Sequence, residues 1–169
     1  MARRTNLRQF QEQVAARIAA ASARSHSGSR LAVEAGGRWL IPLAEAGEVL
    51  PVGELTPVPL TRAWFRGMVS VRGTLYAVSD LSAFAGGPPA SLTPHTKLVL
   101  IGQPRGGNAA LLVSRVLGLR HIAEFDPVDG AAAIGSWRGA VLRDTDGASW
   151  RVLDPGALLS SVEFLQIAA

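Results

Sequence analysis

The sequence contains no cysteine in 169 residues, which excludes disulfide bonds and thiolate metal sites. It also has no run of about 18 apolar residues, so we expect no segment that inserts directly into a membrane. The N-terminus lacks the apolar core of a secretory signal and is expected to be retained. The length is sufficient for one domain with a conventional core, and the absence of cysteine is compatible with a reducing cytoplasm.

The excess of positive charge is confined to the N-terminal segment. The net charge is +4, yet residues 1–30 hold six arginines against one glutamate, while the remaining chain holds eleven basic and twelve acidic residues. The folded portion therefore has no net positive field to supply phosphate contacts, and we expect no nucleic acid as a partner. The alternative that stays open is an RNA- or nucleotide-binding small barrel that uses the basic tail electrostatically.

Groups that could catalyse a reaction or hold a metal are few. His26, His95 and His121 stand alone, and neither a Gly-x-Ser-x-Gly elbow nor a Gly-x-x-x-x-Gly-Lys phosphate loop occurs. Glu45 and Glu48 are spaced like two carboxylates on one helical face, but such pairs are common on surface helices. We therefore predict no enzyme, no metal site and no cofactor, and an uncharacterised hydrolase is a third class for which no residue set can be nominated.

The chain divides into a tail and a folded domain. Apolar residues recur every three or four positions over residues 5–23, which predicts an amphipathic helix that packs on its own domain or docks on a membrane surface or a partner. Residues 25–29 are typical of a flexible joint. The domain itself is expected at residues 30–167, with lobe segments of about 30–93 and 94–167 between which strands can be exchanged.

Hairpin patterns dominate the domain and predict a mainly β fold. The four tryptophans fall at strand or turn positions, where packing in the core is expected rather than stacking on bases. The predicted strands are 31–35 and 39–43 around Gly36-Gly37, 97–101, one long strand over 109–119, and 137–142 and 150–153 around a turn at 144–147, with a helical turn at 44–48 and a short helix after Asp154-Pro155.

The stretch from residue 64 to residue 87 organises the rest of the chain. Alternating apolar residues on either side of Arg72-Gly73 predict a hairpin with Arg72 at its tip. Asp80 can accept hydrogen bonds from the first amides of a short helix over residues 81–85, and Gly86 suits the left-handed residue that ends such a helix.

Residues 64–69 are echoed by residues 136–141, since Arg66-Gly67 corresponds to Arg138-Gly139. The segment that ends in Asp80 is likewise echoed by the segment that ends in Asp154. This similarity predicts an internal duplication, and therefore two similar small β-barrels side by side.

The sequence resembles the CheW-like domains, scaffold modules of bacterial chemotaxis-type signalling. The resemblance rests on Gly67, on Val71-Arg72-Gly73 and on Val78-Ser79-Asp80-Leu81, at the spacing of the family motif, with Ser70 and Ala77 where Asn and Pro are usual. It implies two five-stranded, SH3-like barrel lobes. It also implies a non-catalytic adaptor that couples the cytoplasmic tip of a chemoreceptor to the regulatory domain of a CheA-type histidine kinase, itself a CheW-like fold.

The resemblance further implies where partners bind. In the family the motif arginine is linked to a glutamate after the first hairpin, which corresponds here to Arg72 and Glu48. Residues 51–64 are similar in wording to CheW-like proteins of twitching-motility systems, which implies a type IV pilus pathway. Apolar side chains that flank the tip complete the predicted partner-binding set, although strand alternation must bury some of them. The full set is Glu48, Val69, Val71, Arg72, Gly73, Leu75 and Tyr76.

Overall fold

The computed structural model describes residues 28–103, 107–128 and 135–169, so the predicted helix over residues 5–23 lies outside the described residues. The described chain is mainly β, as the sequence predicted. Its strands are β1 (Ser29–Glu34), β2 (Arg38–Pro42), β3 (Ala46–Pro51), β4 (Phe65–Val71), β5 (Thr74–Asp80), β6 (Lys97–Ile101), β7 (Ala109–Val113), β8 (Arg115–His121), β9 (Asp126–Pro127), β10 (Arg138–Arg143) and β11 (Ser149–Leu153). Its helices are α1 (Leu81–Phe84), a 3-10 helix (Ile122–Glu124), α2 (Pro155–Ser160) and α3 (Val162–Leu165).

The strands form two sheets with matching strand orders. Sheet 1 has the order β8-β1-β2-β11-β10-β9, and sheet 2 has the order β3-β6-β7-β5-β4. In sheet 1 the antiparallel hairpin β1–β2 joins the hairpin β10–β11 through the parallel contact of β2 with β11. In sheet 2 the antiparallel hairpin β6–β7 joins the hairpin β4–β5 through the parallel contact of β7 with β5. Each sheet therefore combines one hairpin from one half of the chain with strands from the other half. This repeated topology with exchanged hairpins is what an internal duplication predicts.

Both sheets curl so that their ends meet. The chain after β3 returns to the far edge of sheet 2, where the backbone amides of Thr56 and Met68 each donate to the other's carbonyl at 2.8 Å. In sheet 1 the short strand β9, which follows β8, pairs in the same way with β10. Closure of this kind leaves fewer unpaired strand edges, which agrees with the predicted pair of small barrels.

The exchanged hairpins are buried on both faces. In β6, Val99 and Ile101 contribute to a core shared by the two sheets, while Leu98 and Leu100 fill the interior of sheet 2. In β2, Ile41 faces the shared core. Burial on two sides requires apolar residues at successive positions, which is why the centres of these strands appear in the sequence as short continuous apolar runs.

An aromatic cluster joins the two sheets at α1. The ring of Phe84 lies 4.9 Å from Trp64, 5.1 Å from Trp137 and 5.1 Å from Phe164, measured between ring centroids. Trp39 stacks on Trp137 at 5.7 Å. The fourth tryptophan, at position 150, is 3 % exposed in the interior of sheet 1. The prediction that the tryptophans pack in the core is therefore confirmed.

Three local predictions were wrong. Residues 109–119 are not one strand: the chain leaves sheet 2 after β7 and enters sheet 1 as β8, and Ser114 between them donates its amide to Glu34 O at 2.8 Å. Residues 44–48 do not form a helical turn, because Ala46 already pairs with Ile101 across the β3–β6 ladder. The predicted joint at residues 25–29 ends earlier than expected, since Ser29 is the first residue of β1.

Candidate functional site

The tip of the β4–β5 hairpin is a two-residue turn, as predicted. Val71 pairs with Thr74, and between them Arg72 has a φ of +50° and Gly73 a φ of +83°. Two successive left-handed residues match the right-handed twist of the flanking strands, and the second position is suited to glycine. Arg72 adopts this conformation without being glycine, asparagine or aspartate, so its side chain is retained at a conformational cost.

An ion pair links this tip to β3. Arg72 Nη2 lies 2.6 Å from Glu48 Oε1, and the two side chains are 77 % and 37 % exposed. Because β3 and β4 are the two ends of sheet 2, the pair spans the line along which the sheet closes. The structure thus contains the contact that the family resemblance implied, and it places that contact on the surface.

The hairpin register decides which apolar side chains are accessible. Val69 lies directly opposite Tyr76, and both are 6 % exposed in the interior of sheet 2. Tyr76 Oη also accepts a hydrogen bond from Gln103 Nε2 at 3.0 Å. Val71 is half-buried against the same cluster. These three residues of the predicted set face inward, so Val69 and Tyr76 offer almost no surface to a partner.

The outward face of the hairpin carries Leu75, which is 60 % exposed and pairs with the exposed Ser70. Val49, next to Glu48 on β3, is 38 % exposed and is absent from the predicted set, because β3 itself was not predicted from the sequence. We call Glu48, Val49, Ser70, Arg72, Gly73 and Leu75 the tip surface.

Gly67 allows the backbone at Thr56 to lie directly against β4, below the tip surface. Its φ is +112°, and a Cβ built there would lie 2.2 Å from the carbonyl oxygen of Thr56. Glycine is required because the closing backbone crosses β4 at this point. The motif glycine therefore has a structural role in sheet closure.

Asp80 fixes the far end of the same hairpin. Its side chain is completely buried and accepts from Ala83 N at 3.2 Å, from Ala90 N at 2.8 Å and from Arg66 Nη1 at 3.3 Å. It is the N-cap of α1, as predicted, and its charge is met by a guanidinium and two amides. The motif aspartate thus joins β4, α1 and the following loop.

Among the described residues, two carboxyl groups have perturbed pKa values, and both lie in sheet 1 or beside it. The hydrogen bond from Trp150 Nε1 is the main cause that lowers the pKa of Asp144. The backbone amide of His121 is the main cause that lowers the pKa of Glu124, which is also paired with Arg120 at 3.2 Å. Both groups serve local capping and pairing, and neither belongs to the tip surface.

The described residues bring together no set of three His, Asp or Glu side chains that could hold a metal ion. His121 Nδ1 accepts a hydrogen bond from Ala123 N at 3.3 Å and caps the 3-10 helix. His95 is exposed in a loop, and His26 lies outside the described residues. Within residues 28–103, 107–128 and 135–169, no helix is long and apolar enough to span a bilayer.

Two closed sheets that share a core, with an ordered hairpin tip at the surface, define a two-lobed β module. The chain belongs to the CheW-like domain family, whose match covers residues 31–163. Proteins of this family are non-catalytic scaffolds that couple receptors and kinases, and the family predicted from the motif is confirmed.

Individual relatives agree with this assignment. The chain is 31% identical over 148 residues to "Protein PilI" of Pseudomonas aeruginosa, covering 84% of this chain and 81% of the relative. It is 30% identical over 132 residues to "Protein FrzA" of Myxococcus xanthus, covering 76% and 82%. Its fold is similar to the crystal structure of the scaffolding protein TtCheW from Thermoanaerobacter tengcongensis, with a TM-score of 0.62, 17% identity, and coverage of 76% of this chain and 89% of the other.

Proposed function

We propose that this protein is a non-catalytic adaptor that couples a methyl-accepting chemoreceptor to a CheA-type histidine kinase. Its partners would be the regulatory domain of the kinase and the cytoplasmic tip of the receptor, so that the protein works at a membrane receptor array without inserting into the bilayer. Membership of the CheW-like family supports the general role. The similarity to PilI, together with the wording of residues 51–64, supports a pathway that controls type IV pilus twitching motility.

The observation that carries the proposal is the ion pair between Glu48 and Arg72 at 2.6 Å. An exposed pair of this kind contributes little to stability, and Arg72 also occupies a left-handed conformation that disfavours arginine. A costly residue on the surface is best explained by what it contacts outside the chain. Leu75, 60 % exposed beside this pair, adds the apolar contact that a protein partner would bury.

A binding assay with purified partners tests the proposal. The full chain is titrated against the regulatory domain of a CheA-type kinase and, separately, against a receptor cytoplasmic fragment, each from the same organism as the chain. We expect saturable binding to both. Arg72→Asn, which suits the left-handed turn, should weaken binding to at least one of them by about tenfold, as loss of an interface anchor does.

Arg143→Gln is the matched control, since Arg143 is an exposed arginine on β10 of sheet 1, outside the tip surface. It should bind both partners like the wild type. Absence of binding by the wild-type chain to both partners would overturn the adaptor assignment. Equal affinities for Arg72→Asn and wild type would instead leave the adaptor role and remove the tip surface from it.

A further inference from the structure

A run of four exposed apolar residues lies between the closing backbone at Thr56 and the start of β4. Pro57, Val58, Pro59 and Leu60 are all exposed, Val58 to 40 % and Leu60 to 87 %. We call residues 57–60 the apolar turn. Successive apolar residues at a surface keep in water the kind of area that folding removes from it, so a run of this length is unfavourable unless it binds something.

The backbone at Leu60 is strained for a leucine. Its φ is +58°, and it directly follows Pro59 in the turn. In a turn with proline at the second position and a positive φ at the third, the third residue is normally glycine or asparagine. Leucine destabilises this conformation, and its exposure of 87 % leaves almost no packing within the chain to offset the strain. A contact outside the chain accounts for the side chain.

The apolar turn is held at both of its ends. Before it, the backbone amides of Thr56 and Met68 each donate to the other's carbonyl at 2.8 Å. After it, Leu60 O accepts from Ala169 N at 3.0 Å, and the two prolines restrict the backbone in between. A side chain presented on a backbone that is already ordered loses little conformational entropy on binding, so even a small contact can contribute to affinity.

The surroundings of the apolar turn carry little charge. Residues 57–61, and the segment 164–169 that pairs with them, contain no charged side chain. The adjacent Arg62 donates from Nε to Gln166 O at 3.0 Å. Binding at a membrane surface depends on clusters of basic side chains, which these two segments do not contain. A neutral, rigid leucine fits an apolar pocket on another protein.

The apolar turn and the tip surface lie at opposite ends of β4. Phe65, the first residue of this strand, donates its amide to Arg62 O at 2.9 Å, whereas the tip surface follows the last residue of the strand. Strands rise about 3.3 Å per residue, so the seven residues of β4 separate the two surfaces by roughly 20 Å. A protein bound at the tip surface therefore leaves the apolar turn accessible to another.

We propose that the apolar turn inserts Leu60 into an apolar pocket of one protein partner of the adaptor, a partner other than the one held by the tip surface. The inference rests on the proposed function, because it assigns a second surface to an adaptor that holds two proteins. A stable homodimer buries about 20–30 residues a side, far more than this turn offers, so a second copy of the chain fits it poorly.

Calorimetric titration of the full chain against the kinase regulatory domain and, separately, against the receptor cytoplasmic fragment tests the inference. Leu60→Asn suits the left-handed backbone and removes the apolar side chain. We expect it to weaken binding to one fragment by about tenfold and to leave the affinity for the other within about twofold of wild type. Arg72→Asn should bind the fragment that Leu60→Asn weakens as tightly as wild type does.

Two controls and a change of salt identify the kind of contact. Leu60→Met keeps an apolar side chain on the same backbone and should retain both affinities. Leu92→Asn removes a leucine that is 56 % exposed in the loop between α1 and β6, and it should also bind like wild type. The loss caused by Leu60→Asn should be the same in about 0.1 M and about 1 M salt, because salt screens charges and this contact has none.

The outcomes separate this inference from the proposed function. Absence of binding by wild type to both fragments would overturn the two together. If wild type binds both fragments and Leu60→Asn binds them equally well, the inference alone is overturned and the adaptor function stands. A loss with Leu60→Met or Leu92→Asn as large as that with Leu60→Asn would also overturn it, as would a loss for the same fragment with Arg72→Asn.

Sedimentation of the chain alone covers the remaining occupant. A wild-type dimer that Leu60→Asn abolishes would overturn the inference, because a second copy would then occupy the apolar turn. Leu60→Gly keeps the test valid if Leu60→Asn does not fold, since glycine adopts a positive φ readily and also removes the side chain.

Discussion

Replacing Arg72 by asparagine relieves the conformational cost of this residue and removes its charge at the same time. The left-handed backbone at φ +50° disfavours most L-residues by about 1–2 kcal/mol, and asparagine tolerates it better. The lost ion pair with Glu48 joins side chains that are 77 % and 37 % exposed, and such pairs contribute about 0–1 kcal/mol. The two effects oppose each other, so we expect Arg72→Asn to change the free energy of unfolding by no more than about 1 kcal/mol in either direction.

A double-mutant cycle isolates the ion pair. Unfolding in urea is measured for wild type, Arg72→Asn, Glu48→Gln and the double variant, all with the same slope against denaturant as a check on two-state behaviour. The coupling energy should lie below about 1 kcal/mol and should fall further in high salt, because the pair is exposed to solvent. The same four proteins are then titrated against the kinase and receptor fragments.

A small coupling energy in unfolding together with a large loss of affinity for the partners would show that the Glu48–Arg72 pair serves partner binding. A coupling energy above about 2 kcal/mol would refute this reasoning, because the pair would then be a major stabiliser of sheet 2 closure. A clear gain in stability for Arg72→Asn combined with unchanged binding would refute it in another way, since nothing would then explain the strained arginine.

Three further substitutions probe the surrounding structure. Gly67→Ala should lower the free energy of unfolding by at least about 2 kcal/mol in urea denaturation, because the new Cβ meets the carbonyl oxygen of Thr56 at 2.2 Å and φ is +112°; a loss below about 0.5 kcal/mol would show that the closing strand yields easily. Leu60→Asn should raise the melting temperature, since Leu60 has a φ of +58° and is 87 % exposed; a lower melting temperature would reveal packing that this exposure does not indicate. Asp144→Asn should destabilise the protein at pH 7, because the lowered pKa of Asp144 means that its ionised carboxylate, hydrogen-bonded to Trp150, favours the folded state above the ordinary pKa of aspartate. The difference in stability from wild type should shrink as the pH falls through the lowered pKa. A difference that stays constant down to pH 2 would contradict this origin.

Local features of this fold could be predicted because their causes are local. The turn at Arg72-Gly73 and the capped helices after Asp80 and Asp154 depend on backbone preferences and on one side chain each. The family motif is built from such positions, which is why the resemblance also gave the correct fold.

The path of the chain between sheets could not be predicted in the same way. β7 is buried at every position, whereas β8, which begins two residues after β7 ends, is largely exposed, with Leu117 at 39 % and Leu119 at 63 %. Apolar residues resume at Val116 after only Ser114 and Arg115, so the pattern does not show that the chain changes sheet there. Only the pairing of β8 with β1 separates the two strands.

The composition of the tip surface also depended on long-range pairing. Sequence alternation could not say whether Val69 or Leu75 faces solvent, and the register of β4 against β5 together with closure by Thr56 decides it. The exposure of Val49 could not be predicted, because β3 is specified by its pairing with β6 and not by a clear local pattern.

Exchange of the two hairpins has a mechanical consequence for an adaptor. The lobes cannot separate without breaking the parallel contacts of β2 with β11 and of β5 with β7, and without exposing the apolar core that both sheets share. Relative motion of two ordinary domains across a small interface is common, but here each lobe contains strands of the other half of the chain. If the tip surface binds one partner and another part of the module binds a second, this interleaving fixes the geometry between them, so that a change in one partner is transmitted as a displacement of the other instead of being absorbed by a hinge.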